Sequence, residues 1–327
     1  MSAVFSAEEI LCATQNIQIS GYADDGKGRL VWELEEVSSG DWFMEMPGQF
    51  DETQNNFEHA FSKGARGIIV NRGRREESAQ SGKLVMSVAD TKAALLDMLR
   101  YWRHTVHPKV VAVGGNSGRR ATMVLLNQLL AGHFRTHVAF ANSCGWLGCA
   151  KRVLEAPSDT QILIFEAGAT ERGIIKQIGT ALEPDLAVLT PVRHPLPSPH
   201  RDTVAAALYC EVLETLCGHP KDRLAAVIYD DNPAVQKRSD EVLSNLLAQK
   251  YSLSGKGIES RVSDQSLTVL SDEVEKVLGL SLSRPQLWCA VEAARSLGLS
   301  KQSLEEILEL SAETNAGTDG SPLRQIA

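Results

Sequence analysis

Short apolar runs alternate with longer amphipathic stretches along this chain, the rhythm of strands and helices taken in turn. Ser6-Ala7-Glu8-Glu9 opens a short helix with Ser6 as its N-cap. Trp42-Phe43-Met44 follows a Ser39-Gly40-Asp41 turn and reads as a strand. Phe57 to Gly64 has helical spacing and a glycine stop, and Ile68-Ile69-Val70 is a buried strand. Lys83 to Val88 is another strand, and Thr91 to His104 predicts an amphipathic helix carrying Leu95, Leu96, Met98, Leu99 and Trp102. His107-Pro108 then breaks the pattern, because proline disfavours helical geometry in the residue before it.

Beyond that linker, Val110 to Val113 is a β-branched run of the kind buried on both faces of a sheet. Further strands are expected at Thr160 to Phe165, Leu186 to Thr190 and Leu224 to Tyr229, with a short one at Leu267 to Leu270. Helices are expected at Ala205 to Leu216, at Pro285 to Leu297 before Gly298, and at Ser303 to Leu310. Strands alternating with helices predict a parallel sheet, with ligands gathered at the carboxyl ends of its strands. The fold class is therefore α/β: a small N-terminal α/β domain over 1–108, a parallel-sheet domain over 109–311, and a polar, flexible tail over 312–327.

One junction carries chemistry. The Val110–Val113 strand runs into Gly114, Gly115, Asn116, Ser117 and Gly118, and from Ala121 the residues Met123, Val124, Leu126 and Leu130 recur at helical spacing. Strand, glycine turn and helix make an anion cradle, since turn N–H groups and the positive end of the helix converge on one point. A working phosphate loop also needs a lysine for the β/γ-phosphates and a hydroxyl for Mg²⁺. Arg119 and Arg120 stand in those places. A planar guanidinium is no substitute for a compact ammonium at a snug site, and Mg²⁺ takes oxygen ligands.

Bulk properties narrow the picture without sharpening it. At 327 residues, 43% hydrophobic and 23% charged, the chain is ordinary for a soluble protein with a sizeable core. A net charge of −8 argues against a general nucleic-acid binder. No apolar run approaches the roughly 18 residues of a membrane span, and the N-terminus lacks a secretory pattern, so a cytoplasmic location is expected. Six cysteines are scattered without a CxxC pair or a zinc-like histidine arrangement, and reduced, mostly buried thiols are expected.

The stretch VAVGGNSGRRAT resembles the Mur ligase loop T-G-[ST]-N-G-K-T-T of the peptidoglycan-building enzymes, which use ATP to join an amino acid or dipeptide to a UDP-muramyl precursor. Gly115 and Gly118 match, Arg119 sits at the lysine and Arg120 at the first threonine. The N-terminal part is similar to the MurF type, with Gly40-Asp41-Trp42-Phe43 and Gly48, then Phe57, Ala60, Gly64 and Ala65, then Asp90-Thr91 with Ala94-Leu95. Where the family carries D-S-R for its UDP-sugar, this chain has Glu33-Leu34-Glu35, and an acidic group there would repel a diphosphate.

The resemblance implies roles residue by residue. Glu166 falls on the family's Mg²⁺-associated glutamate, although a solvated strand-end glutamate is the plain alternative. His194 falls near a second metal-associated residue, and reads equally as a surface-loop histidine. Asn142 and Gly148 match the family's N-x-N-N-x-x-G, with Trp146 intruding as cover for a hydrophobic face. In the A-K-x-E segment Glu211 remains, but Tyr209 takes the place of the lysine that is carbamylated in family members. Tyr229-Asp230-Asp231 resembles N-x-D-D, and Ser283, Arg284 and Gln286 stand where H-N-x-x-N belongs. The resemblance extends over two of the family's three domains, and the closing third domain, about 150 residues, is expected to be absent.

These substitutions lead to an expected pseudo-enzyme, a binding or regulatory module of Mur ligase type without ATP-dependent ligation. The loop Gly115-Asn116-Ser117-Gly118-Arg119-Arg120 would hold an anion or a degenerate nucleotide site, and Glu166 and His194 would be vestigial metal residues. No cofactor is expected, and a protein partner is. The alternative is an active acid–amino acid ligase using ATP and Mg²⁺ with a third domain supplied in trans.

Overall fold

The computed structural model describes residues 2–14, 17–21, 25–46, 56–72, 83–141, 145–168, 172–193, 198–216, 225–229, 231–244, 249–252, 283–300, 302–304 and 306. The chain divides into two compact units, one of Met1–Val106 with Leu154–Ser158 and the other of His107–Val153 with Asp159–Ala327. The short stretch Leu154–Ser158 thus returns to the first unit, where the Ala3 N–H donates to the Leu154 carbonyl at 2.8 Å.

The first unit is a five-stranded sheet with helices α1 (Ala7–Ala13), α2 (Asn56–Ser62) and α3 (Thr91–Val106). Its strands are β1 (Gln18–Ser20), β2 (Leu30–Val31), β3 (Trp42–Met44), β4 (Gly67–Asn71) and β5 (Leu84–Val88), in the order β1-β5-β4-β3-β2. All neighbours are parallel except β1, which pairs antiparallel with β5. Val31, Phe43, Ile68, Val70 and Val85 from the sheet pack with Phe57, Ala60 and Phe61 from α2. Glu33 precedes a 3₁₀ turn, Leu34–Glu36, whose Leu34 and Glu35 carbonyls accept from Lys63 Nζ at 2.9 and 3.0 Å.

The second unit is a six-stranded, all-parallel sheet: β6 (Lys109–Gly114), β7 (Thr136–Ala139), β8 (Ile162–Glu166), β9 (Leu186–Leu189), β10 (Ala225–Ile228) and β11 (Gln249–Ser252). Around it lie α4 (Arg119–Ala131), α5 (Trp146–Leu154), α6 (Ile174–Leu182), α7 (Pro199–Tyr209), α8 (Glu211–Glu214), α9 (Pro233–Ser244) and α10 (Arg284–Ser296). The strand order β11-β10-β9-β6-β8-β7 puts β6 in the middle. The chain leaves β6 toward β7 and β8 on one side and returns to β9 on the other, so the strand order reverses beside β6. That is where open α/β sheets place their ligands.

Both faces of β6 are covered, which is why it reads as an uninterrupted apolar run. Val111 and Val113 pack with Met123 and Leu126 of α4 and with Leu287, Trp288 and Val291 of α10. On the opposite side, a Cβ at Gly114 would meet Val212 of α8 at 3.0 Å.

The expected helix over Ala205–Leu216 is two helices, α7 and α8, hinged at Cys210. α7 also begins earlier, because Ser198 caps it by accepting from the Arg201 N–H and Pro199 enters at the first turn. Asn232-Pro233 starts α9, with Asn232 Oδ1 accepting from the Ala234 N–H at 2.9 Å. Leu267–Leu270, the tail 312–327, His194, Asn142 and Asp230 lie outside the described residues. Among the described residues no helix is long and apolar enough to cross a membrane.

Candidate functional site

The turn between β6 and α4 lies at the carboxyl edge of the sheet, beside the reversal of strand order. Gly115 and Gly118 have φ of +104° and +75°, a region that side chains other than glycine rarely enter. Glycine is needed for space as well: a Cβ on Gly115 would collide with Thr190, and one on Gly118 with the Gln286 side chain. Glycine is therefore forced at two of the positions that match the family loop.

Arg119 and Arg120 are the first two residues of α4, and Glu166 is the last residue of the neighbouring strand β8. The three side chains meet. Arg119 donates from Nε and Nη2 to Glu166 Oε1 at 3.3 and 3.2 Å, and Arg120 donates from Nε to Glu166 Oε2 at 3.2 Å. The Ala141 N–H adds a bond to Oε2 at 3.0 Å. Each guanidinium is also tied to backbone, Arg119 Nη1 to the Gly115 carbonyl and Arg120 Nη2 to the Ala141 carbonyl at 2.6 Å. The Glu166 side chain is 4% exposed, against 22% for Arg119 and 58% for Arg120. A carboxylate so buried is costly unless paired and hydrogen-bonded, and here both oxygens are.

The cations foreseen from the sequence are thus engaged with an anion of the protein's own. A divalent ion at Glu166 would have to displace both guanidinium groups from the oxygens it needs. Among the described residues no group of three or more His, Cys, Asp or Glu could hold a metal.

Asn116 and Ser117 face away from a cradle. Both N–H groups lie on the Pro191 carbonyl, at 3.3 and 3.2 Å. The Asn116 side chain pairs with the Arg193 backbone, Nδ2 donating to the carbonyl at 2.6 Å and Oδ1 accepting from the N–H at 2.9 Å. The other sequence candidates have local work. Glu211 is buried and accepts from the Gly173 N–H at the start of α6 at 3.0 and 2.9 Å. Asp231 pairs with Arg193 Nη2 at 3.2 Å, and Trp146 begins α5, half-buried. Cys149 and Cys289 are buried thiols. Burial pushes Cys149 well above its ordinary value, helped by the Glu166 charge, and pushes Cys289 up to about 12. Neither is a thiolate at neutral pH.

Gln286 matters more than its place in the sequence suggested. It belongs to the capping box of α10, where its Oε1 accepts from the Ser283 N–H at 2.8 Å, and its amide occupies the space a Cβ on Gly118 would need. Its signal in the sequence was the pairing of Ser283 with Gln286 three residues on, before an apolar run.

A parallel sheet with a glycine turn from its central strand into a helix, and an acidic residue ending the adjacent strand, defines an α/β domain of the phosphate-loop class. Within that class the chain is similar to the Mur ligases of MurF type and carries their fold. A UDP-N-acetylmuramoyl-tripeptide–D-alanyl-D-alanine ligase of Bacillus subtilis is 25% identical over 148 residues, 45% of this chain and 32% of the relative. The enzyme of the same name from Synechocystis is 23% identical over 271 residues, 82% of this chain and 58% of the relative. The chain therefore spans from about a third to under two thirds of the curated relatives it matches. MurF from Acinetobacter baumannii superposes with a TM-score of 0.71 at 20% identity, over 98% of this chain and 70% of that one. MurF from Thermotoga maritima, solved in complex with ADP, gives 0.55 at 20% identity over 69% and 50%. No family model matches the chain.

Proposed function

We propose that this protein is a Mur-ligase-like module that binds or regulates a protein partner and does not turn over ATP. One observation carries the reading: Glu166 is held on both oxygens by Arg119 and Arg120. Phosphoryl transfer relies almost wholly on positioning and on electrostatic stabilisation by metal and cation. Here the acidic side chain is already neutralised by two fixed cations, one standing where the family has its metal-binding hydroxyl. The lysine place is filled by a guanidinium folded back onto the loop carbonyl of Gly115. Tyr209 in place of the carbamylated lysine points the same way, since a phenol cannot carry a carbamate.

Calorimetry with ATP, with and without Mg²⁺, tests the reading. Absence of binding, or binding indifferent to the metal, is the expected result. Mg²⁺-dependent micromolar binding with release of ADP on amide formation would instead make the protein an acid–amino acid ligase like its named relatives.

A further inference from the structure

The glycine loop is held down from outside by contacts that leave out Arg119, Arg120 and Glu166. Thr190 Oγ1 donates to the Gly114 carbonyl at 2.9 Å, and the Pro191 carbonyl receives the Asn116 and Ser117 N–H groups. Asn116 and Arg193 are locked to each other through a side chain and a main chain, 2.6 and 2.9 Å apart at their two bonds. Arg193 is itself anchored by Asp231 at 3.2 Å. Over the far end of the loop, Gln286 is 7% exposed and is fixed by its bond to Ser283 at the head of α10.

An anion cradle works because its turn N–H groups are left unpaired and converge on the ligand. In this loop two of them already have an acceptor, and that acceptor is on the strand exit of β9 rather than in the cradle. To offer them to a phosphate, the protein must pull Asn116 and Ser117 off Pro191, strip Asn116 from Arg193, and leave the Pro191 carbonyl without its donors.

We propose that Thr190–Arg193, with Gln286, is a latch that keeps the glycine loop shut against a phosphate, independently of the arginine pair. The proposal rests on the reading that the loop does not turn over ATP, and adds a second, separable cause. Reverting Arg119 and Arg120 would then be insufficient to recover nucleotide binding.

Amide hydrogen exchange on the intact chain tests the latch without any ligand. Asn116 and Ser117 should exchange at least about tenfold more slowly than an open chain, and Asn116→Ala should abolish most of that protection at Ser117. Exchange at open-chain rates in the unaltered protein overturns the proposal. A second measurement uses Mg-ATP calorimetry on Arg119→Lys/Arg120→Thr, alone and combined with Asn116→Ala/Gln286→Ala, thermal melts checking that each is folded. The combined variant should bind at least about tenfold more tightly than the reversion alone, a difference of about 1.4 kcal/mol. Equal affinity, or no binding by either, overturns the latch. Turnover of Mg-ATP by the unaltered protein would sink the functional reading instead, whatever the exchange rates show.

Discussion

At the scale of single residues, the informative group is Glu166. The sequence places it at the end of a buried strand and puts two arginines beyond the glycine turn, but it does not say that the three side chains meet. They are 46 and 47 positions apart, and only the pairing of β6 with β8 closes that gap. Removing the carboxylate with Glu166→Ala leaves two guanidinium groups without their anion, one of them largely buried. The expected loss is about 2–3 kcal/mol by urea denaturation, kept below a fully buried pair by the exposure of Arg120. Gly118→Ala should cost more than about 1 kcal/mol, because alanine meets both a positive φ and the Gln286 amide. Gln286→Ala should recover part of that loss, and a double-mutant cycle would read the coupling.

At the scale of elements, those with strong local signals were legible. The β6 strand, the glycine turn, α3, α10 and the Ser6 cap all carry their evidence in adjacent residues. In α1 the Ser6 Oγ accepts from the Glu9 N–H at 3.1 Å, and Glu9 Oε2 accepts from the Ser6 N–H at 2.7 Å. Ser6→Ala should therefore cost about 1 kcal/mol, measured by thermal or chemical melting. Burial alone would push the Glu9 carboxyl up, but the Lys27 hydrogen bond, the Ser6 N–H and the Lys27 charge together hold it below its ordinary 4.5. A lowered carboxyl contributes stability that is present above 4.5 and lost as pH falls through the folded value. Lys27→Ala should flatten that acid limb between neutral pH and about pH 3, seen in melts across the range. Elements without a sharp signal went unread: β1, β2, β7, β11, α5, α6 and α9. Strands of two to four residues give too few alternations to define a period. The start of α9 carries no sharp signal either, because Asn-Pro serves a turn and a helix N-terminus alike.

At the scale of the whole molecule, two sheet-based units share one chain, and the second sets its glycine turn where the strand order reverses. If that turn takes up no nucleotide, the folded state gains nothing from one. Millimolar Mg-ATP should then move the melting midpoint by less than about 1 °C, whereas a ligand at a hundred times its Kd would add about 2.7 kcal/mol and several degrees.

The sequence by itself determined that the chain is α/β, that a glycine turn joins a buried strand to a helix, and that two arginines follow that turn. Those facts depend on neighbours in the chain, and adjacent residues suffice to express them. Only the tertiary structure decided what the cations hold and what covers the turn. Glu166, Pro191, Arg193 and Gln286 reach the loop from β8, from the exit of β9 and from α10, segments brought together by sheet pairing and by the packing of α4 on α10. Long-range contacts of that kind leave no period and no spacing in the sequence, so the partner of a charge has to be read from the fold.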